Sequence, residues 1–139
     1  MRDKYFLDTN VLVYSFDSSA RGKNRIARDL IENALVNRKG VISYQVVQEF
    51  LNVALRKYEV PLSVTEARNF YLKVLKPLCV LQSSSLLTLR ALTVDEEGGC
   101  QWYDALIIAA AIESGAKILY SEDLQDNRRF EGVVTRNPF

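Results

Sequence analysis

The sequence predicts a three-layer α/β/α domain, in which helices cover both faces of a central parallel sheet of about four to five strands. Short runs rich in β-branched and aromatic residues alternate along the chain with longer segments of helical periodicity. Because helices separate the strands, the connections are expected to be right-handed crossovers between parallel strands. The 139 residues contain no internal repeat, low-complexity tract or linker, so we expect one domain spanning residues 1–139.

The first half of the chain is predicted to contain two strands and two helices. The first strand stops near Asp8, and the apolar residues 11–13 continue into a turn. Gly40 lies just past the first helix, where glycine is favoured, and Ser43 is placed to cap the second helix. The predicted elements are a strand at 5–7, a helix at 20–37, a strand at 41–42 and a helix at 44–58.

The second half is predicted to contain three helices and three strands. Ser63 and Glu66 have the spacing of a capping box, and Pro77 marks the end of the helix that this box opens. Glycines at 98–99 and 115 close the next two helices. The predicted elements are a helix from 64 to Pro77, a strand at 79–81, helices at 86–94 and 103–114, and strands at 118–120 and 133–134.

The composition excludes several reaction classes. The chain has no histidine, so it has no Ser-His-Asp or Cys-His nucleophile system and no histidine-ligated zinc. Its 18 lysines and arginines balance 17 aspartates and glutamates, and a net charge of +1 is not typical of a general nucleic-acid coat protein. Chemistry near neutral pH therefore depends on carboxylates, amines, hydroxyls, thiols or a bound metal ion.

The sequence also indicates a cytoplasmic protein. Cys79 and Cys100 form no CxxC pair, which fits a reducing compartment. The N-terminal residues do not have the pattern of a signal peptide. The longest apolar run, at 105–112, is far shorter than the ~20 residues that a membrane-spanning helix needs. We therefore expect no membrane association.

Four acidic residues fall where a parallel sheet places its ligand site, at the carboxyl ends of the strands. Asp8 follows the first strand, and Asp123 comes just after the strand at 118–120. Glu49 lies about two turns into the helix after the second strand, and Asp104 lies in the first turn of the helix at 103–114. Each acid alone is more often structural, in an Asx-turn, on a solvated helix face or at a helix N-terminus. Their joint placement predicts a site.

A cluster of carboxylates indicates a divalent cation. Without one, the acids would repel each other and their pKa values would rise. Ligation by oxygen alone favours Mg²⁺ or Mn²⁺ over zinc, and such a site typically carries out phosphoryl chemistry with metal-activated water. The acids and the missing histidine therefore predict the same kind of chemistry.

Four ordered motifs resemble those of the PIN-domain ribonucleases, and most closely the VapC-type toxins of type II toxin–antitoxin systems. The resemblance runs the full length of the chain and makes the predicted fold PIN-like. The motifs are Phe6-Leu7-Asp8-Thr9-Asn10-Val11-Leu12, Gln45-Val46-Val47-Gln48-Glu49-Phe50, Trp102-Tyr103-Asp104-Ala105-Leu106-Ile107 and Leu119-Tyr120-Ser121-Glu122-Asp123-Leu124-Gln125-Asp126.

This resemblance implies the roles of individual residues. The acids that surround Mg²⁺ or Mn²⁺ in this family match four residues of this chain, which are the catalytic candidates: Asp8, Glu49, Asp104 and Asp123. Of these, Asp8, Asp104 and Asp123 match the metal ligands. Thr9, Asn10 and Ser121 match positions that support the site. Whether Glu122 or Asp126 shares the role of Asp123, and whether one or two metal ions bind, both stay open. The family cuts RNA to leave a 5′-phosphate and a 3′-hydroxyl.

The resemblance also implies partners, which are an RNA substrate, a cognate antitoxin that covers the site, and a second copy of the chain in a homodimer. Basic residues near the motifs are candidates for phosphate binding: Arg21, Lys23, Arg25, Arg128 and Arg129. Tyr14, Tyr44 and Trp102 are candidates for stacking on bases, although core packing is the stronger interpretation for Trp102.

The leading hypothesis is a Mg²⁺- or Mn²⁺-dependent endoribonuclease that is the toxin component of a toxin–antitoxin pair. One alternative is a non-catalytic PIN-fold module that binds RNA or protein, although such modules usually lose acids. A second is a phosphatase of the haloacid dehalogenase type. That class needs another aspartate two positions after its nucleophile, where this chain has Asn10.

Overall fold

The computed structural model describes residues 3–139, and helices lie on both sides of its central sheet. The strands are β1 (Tyr5–Leu7), β2 (Gly40–Ser43), β3 (Cys79–Leu81), β4 (Ile118–Tyr120), β5 (Arg129–Phe130) and β6 (Val133–Arg136). The helices are α1 (Thr9–Tyr14), α2 (Arg21–Asn37), α3 (Tyr44–Arg56), α4 (Val64–Phe70), α5 (Lys76–Leu78), α6 (Ser85–Glu97) and α7 (Trp102–Glu113), with a π-helical turn (Tyr71–Leu75) joining α4 to α5.

The strands form one sheet in the order β3-β2-β1-β4-β6-β5, and every pair except β5–β6 is parallel. The predicted parallel α/β/α architecture is confirmed. The sheet has six strands rather than four to five, because Arg129–Phe130 forms a short antiparallel edge strand. Two residues are too few to produce a detectable alternating pattern, so the sequence did not reveal this strand.

The order of the strands reverses beside β1. From β1 the chain proceeds to β2 and β3 on one side, whereas β4 and β6 lie on the other side. At such a reversal, the connections that leave two neighbouring strands run over opposite faces of the sheet. This leaves a crevice outside the carboxyl ends of those two strands. The residues that follow β1 and β4 therefore face the same crevice.

A continuous apolar core holds these elements together. All residues of β1 and β2 are buried, as expected for inner strands of a parallel sheet that is covered on both faces. The largest side chains that are almost fully buried include Phe6, Leu7, Leu12, Ile42, Phe50, Ile108 and Leu119.

Three local predictions are corrected. The apolar residues 11–13 belong to α1, which Asp8 caps by accepting a hydrogen bond from the Thr9 N–H. Pro77 does not end the helix, because the preceding π-helical turn carries the helical path through to Leu78. Ser43 stands at the N-cap of α3, but its side chain makes no capping hydrogen bond. The capping box of Ser63 and Glu66 is present as predicted.

Gly40 lies where β2 packs closely against α2, so we expect Gly40→Ala to destabilise the protein. An added Cβ would overlap the Ala34 side chain and come within 2.8 Å of the Tyr5 ring. Such overpacking costs about 1–3 kcal/mol of unfolding free energy. Gly22 in α2 is a matched control, since a Cβ there meets nothing within 4 Å and alanine favours helix by about 0.5–1 kcal/mol. Urea unfolding of both variants tests the expectation, and equal stabilities would contradict it.

Within the described residues, none of the helices combines the length and the apolar character that crossing a membrane requires.

Candidate active site

The acidic cleft is an open cavity of about 640 Å³ at the carboxyl ends of β1 and β4. The four predicted acids line it together, although they come from four separate parts of the chain: Asp8, Glu49, Asp104 and Asp123. Asp8 caps α1, Glu49 lies on α3 and Asp104 lies on the first turn of α7. Asp123 follows β4 and is exposed to solvent.

Asp8 is the buried acid of the acidic cleft, with 6% of its surface exposed. One carboxylate oxygen accepts the Thr9 N–H at 2.7 Å, and the other accepts the Ser121 hydroxyl at 2.7 Å. Burial raises the pKa of Asp8 from 3.8 to about 7, although both hydrogen bonds favour the charged form. The negative charges of Glu49 and Asp123 make a smaller contribution to this raised pKa. Asp8 is therefore a carboxylate whose negative charge is poorly compensated.

Thr9 and Gln45 hold Glu49 over the acidic cleft. The Thr9 hydroxyl donates to Glu49 Oε1 at 2.6 Å, and the Gln45 amide donates to Glu49 Oε2 at 3.3 Å. The same amide donates to the carbonyl of Tyr103 at 3.2 Å, which ties the start of α3 to the start of α7. Thr9 thus orients an acid from a different element.

Asn10 connects α1 to the segment after β4. Its side-chain NH₂ lies 3.2 Å from both the Ser121 hydroxyl and Asp123 Oδ2, and its side-chain oxygen accepts the Glu122 N–H at 3.3 Å. The Ser121 hydroxyl also accepts the Asp123 N–H at 3.2 Å. Asn10 and Ser121 therefore fix the loop that carries Asp123.

The chemistry of the acidic cleft fits a divalent cation. Burial first, and then the charges of Asp123 and Glu49, raise the pKa of Asp104. None of the four acids forms an ion pair with a lysine or arginine of residues 3–139. An oxygen-only set of donors with uncompensated negative charge suits Mg²⁺ or Mn²⁺. Among the described residues, however, no three acidic or cysteine side chains lie close enough together to bind one ion in their present positions.

Glu122 and Asp126, the two acids that could share the role of Asp123, have different surroundings. Glu122 lines the acidic cleft, but its carboxylate forms an ion pair with Lys23 and accepts the Tyr14 hydroxyl at 2.6 Å. The hydrogen bonds from Lys23 and Tyr14 lower the pKa of Glu122. Asp126 does not line the acidic cleft and instead accepts the N–H of Asn137 at 2.8 Å. Glu122 is therefore neutralised by protein groups, and Asp126 faces another part of the surface.

The basic candidates divide into two groups. Lys23 reaches the rim of the acidic cleft through Glu122, while Arg21 and Arg25 are exposed on the same end of α2. Arg128 does not line the acidic cleft; its guanidinium donates to the Gly98 carbonyl at 2.8 Å and stacks over the Phe130 ring at 4.5 Å. Arg129 is exposed on β5.

The sequence did not indicate several residues that line the acidic cleft, among them Asp17, Asn52, Lys57 and Tyr103. Lys57, the C-cap of α3, lines the acidic cleft and gives it a cation beside the acids. Tyr103 lines it too and has 66% of its surface exposed, whereas Trp102 packs against the core as predicted. The available signal for Tyr103 was its position, since it is an aromatic residue directly before Asp104. Lys57 is eight positions from the nearest motif acid, so no local pattern indicated it.

Comparisons with known proteins bear on the family and the fold of the chain. A family model described as PIN domain matches residues 5–131. The fold is similar to a chain of a toxin–antitoxin complex from Klebsiella pneumoniae, with a TM-score of 0.69 and 22% identity over 98% of each chain. It is also similar to a chain of VapBC2 from Rickettsia felis bound to a DNA fragment from their promoter. Here the TM-score is 0.63 and the identity 20%, over 96% of this chain and 97% of that chain. A sequence comparison with curated proteins returned no match.

Proposed function

The chain belongs to the PIN domain family, and from this premise we propose that it is a metal-dependent endoribonuclease and the toxin of a toxin–antitoxin pair. One observation carries the proposal. Four carboxylates from four separate elements line a single cleft, and no basic side chain of residues 3–139 is ion-paired with any of them. Folding such charges together without a cation is unfavourable, so a functional role accounts for the arrangement better than a structural one.

PIN domain nucleases generally use divalent metal ions. Asp8, Asp104 and Asp123 are the residues that would hold the ion, and Mg²⁺ or Mn²⁺ suits their oxygen donors. When bound, the ion would supply an activated water and charge stabilisation for phosphodiester hydrolysis. Glu49 is expected to support this set from α3.

The remaining residues of the site position the acids. Ser121 and the Thr9 N–H each bond one oxygen of Asp8, so that carboxylate has a fixed orientation. Asn10 holds Asp123 at the mouth of the acidic cleft, and the Thr9 hydroxyl holds Glu49. Lys57 and Lys23 place positive charge at the rim, where an RNA backbone would approach.

The proposed partners are an antitoxin and a second copy of the chain. The antitoxin is supported by the two similar structures, both of which are toxin–antitoxin complexes, and by the agreement in chain length with them. A homodimer acting in the cytoplasm remains a prediction from the family resemblance.

Incubating the purified full chain with single-stranded RNA tests the proposed activity. We expect cleavage in Mg²⁺ or Mn²⁺, products with 5′-phosphate and 3′-hydroxyl ends, and loss of cleavage in excess chelator that is reversed by adding the metal back. Denaturing gels with end-group labelling provide the measurement. Undiminished cleavage in chelator would contradict metal dependence. Binding of RNA without cleavage in either metal would favour the non-catalytic module instead.

A further inference from the structure

A second cavity, which we call the neutral cleft, lies beside the acidic cleft and encloses about 400 Å³. It opens at the carboxyl ends of β2 and β3, between the first turns of α3 and α6. Its walls combine hydroxyls, amides, aromatic rings and aliphatic side chains. The lining residues include Ser43, Tyr44, Gln48, Gln82, Thr88 and Tyr103.

Ser43 is the first sign that the neutral cleft binds a ligand. Its hydroxyl is the one buried side-chain oxygen or nitrogen within residues 3–139 that has no hydrogen-bond partner. Only 2% of the residue is exposed, and its side chain makes no capping hydrogen bond to α3. Buried polar groups are nearly always satisfied, so an orphaned hydroxyl in a cavity wall indicates a partner that the protein alone does not provide.

The charge of the neutral cleft restricts the type of ligand. No lysine or arginine is among the lining residues, and the one ionisable acid there is Glu49, at the border with the acidic cleft. A phosphate would therefore meet no compensating cation. A neutral, planar group with polar edges fits better, because Gln48 and Gln82 offer amides and Tyr44 and Tyr103 offer rings.

The two clefts share a wall. Glu49 and Tyr103 line both cavities, and the Gln45 side chain bridges them by bonding Glu49 and the Tyr103 carbonyl. A polymer held with one phosphate in the acidic cleft would therefore place a neighbouring unit at the mouth of the neutral cleft.

We propose that the neutral cleft binds one nucleobase of the RNA, next to the phosphodiester held in the acidic cleft, with the base stacked on Tyr103 and hydrogen-bonded at its edge by Ser43 and the glutamines. This inference rests on the proposed function and names the part of the chain that selects where RNA is cut. Stacking supplies affinity for any base, whereas the Ser43 hydroxyl and the amides discriminate between base edges.

Binding of fluorescein-labelled, single-stranded RNA of random sequence tests the neutral cleft. We use the full chain carrying Asp104→Asn, so that binding is measured without cleavage. Adding Tyr103→Ala is expected to weaken binding roughly 10-fold, because a stacking platform is lost. Tyr103→Phe keeps the ring and is the matched control, with expected affinity within about twofold of the parent. Thr88→Trp, at an exposed position, should fill the cavity and weaken binding by a similar factor.

Ser43→Ala separates recognition from folding. Because the hydroxyl has no protein partner, its removal should leave the midpoint of unfolding unchanged or slightly raised. In a chain that keeps Asp104 and can therefore cleave RNA, Ser43→Ala should broaden the preference for one base at a position beside the cleavage site. Sequencing the ends of cleaved RNA measures that preference.

The outcomes distinguish the two proposals. Cleavage by the unsubstituted chain, together with unchanged binding and unchanged cleavage-site preference in the Tyr103→Ala, Thr88→Trp and Ser43→Ala variants, would overturn the nucleobase site alone. An unsubstituted chain that neither binds nor cleaves RNA would overturn the proposed function and the nucleobase site with it. If Thr88→Trp changes the molecular mass in solution but not the RNA affinity, a protein surface occupies the neutral cleft and the inference is wrong.

Discussion

Replacing Asp8 or Asp104 with asparagine is expected to reduce Mg²⁺- or Mn²⁺-dependent RNA cleavage by at least about 100-fold. Loss of a residue that only hydrogen-bonds a metal ligand lowers metal affinity or activity about 10–100-fold, and loss of a ligand itself should cost at least as much. Both positions line the acidic cleft and both carboxylates lack an ion-pair partner within residues 3–139. Asparagine has nearly the same shape but carries no charge, so it removes the attraction for a cation while leaving the packing in place.

The measurement is the rate of cleavage of end-labelled RNA, together with growth of cells that express each variant. Both variants should relieve growth arrest. Asp29→Asn is a matched control, since Asp29 is exposed on α2 and does not line the acidic cleft. It should retain full activity. Far-UV circular dichroism and unfolding curves show whether each variant is folded, and full activity in a folded Asp8→Asn or Asp104→Asn variant would rule out the assigned ligands.

The metal-free protein is expected to lose stability as the pH rises from about 5 to about 8. Burial raises the pKa of Asp8 to about 7 in the folded state, compared with an ordinary value of 3.8. The folded state therefore holds a proton that the unfolded state has already released, and unfolding becomes easier as the pH rises. Only about two pH units of this difference in pKa fall between pH 5 and pH 8, and each corresponds to about 1.4 kcal/mol, so the loss in this window has an upper limit of roughly 3 kcal/mol.

Other titrating groups do not reverse this trend. The raised pKa of Asp104 acts in the same direction as that of Asp8. The lowered pKa values of Asp17, Glu66 and Glu122 stabilise the fold, but that contribution is lost only as the pH falls below the ordinary range of acids, outside this window. The slope between pH 5 and 8 therefore belongs to the acidic cleft.

Urea unfolding in chelator at pH 5 and pH 8 measures this slope. Asp8→Asn should flatten it and should be more stable than the parent at pH 8, even though asparagine offers one oxygen to the two donors that bond Asp8. Asp29→Asn again serves as the control and should follow the parent. Adding Mg²⁺ or Mn²⁺ at pH 8 should restore stability to the parent but not to Asp8→Asn. A parent protein equally stable at both pH values in chelator would contradict the expectation.

The order and type of most elements were predictable because they depend on local chemistry. The Ser63–Glu66 capping box lies within one helical turn, and the apolar run of α7 is visible in the eight consecutive residues 105–112. The errors occurred where a neighbour in space decided the outcome. Ser43 has the right residue type and position for a cap, yet its hydroxyl is unpartnered, and Arg129–Phe130 is a strand only because β6 lies beside it.

The sequence by itself determined the fold class, the absence of histidine chemistry and the acids that follow the strands, because hydrophobic periodicity and residue type are local properties. The tertiary structure alone decided which groups meet. The hydrogen bond from Thr9 to Glu49 spans 40 positions and the one from Asn10 to Ser121 spans 111, so both depend on how the strands are ordered. The same packing engages Arg128 with the Gly98 carbonyl, brings Lys57 into the acidic cleft and sets the neutral cleft beside it. Contacts between distant segments form only when the whole sheet closes, and no local pattern encodes them.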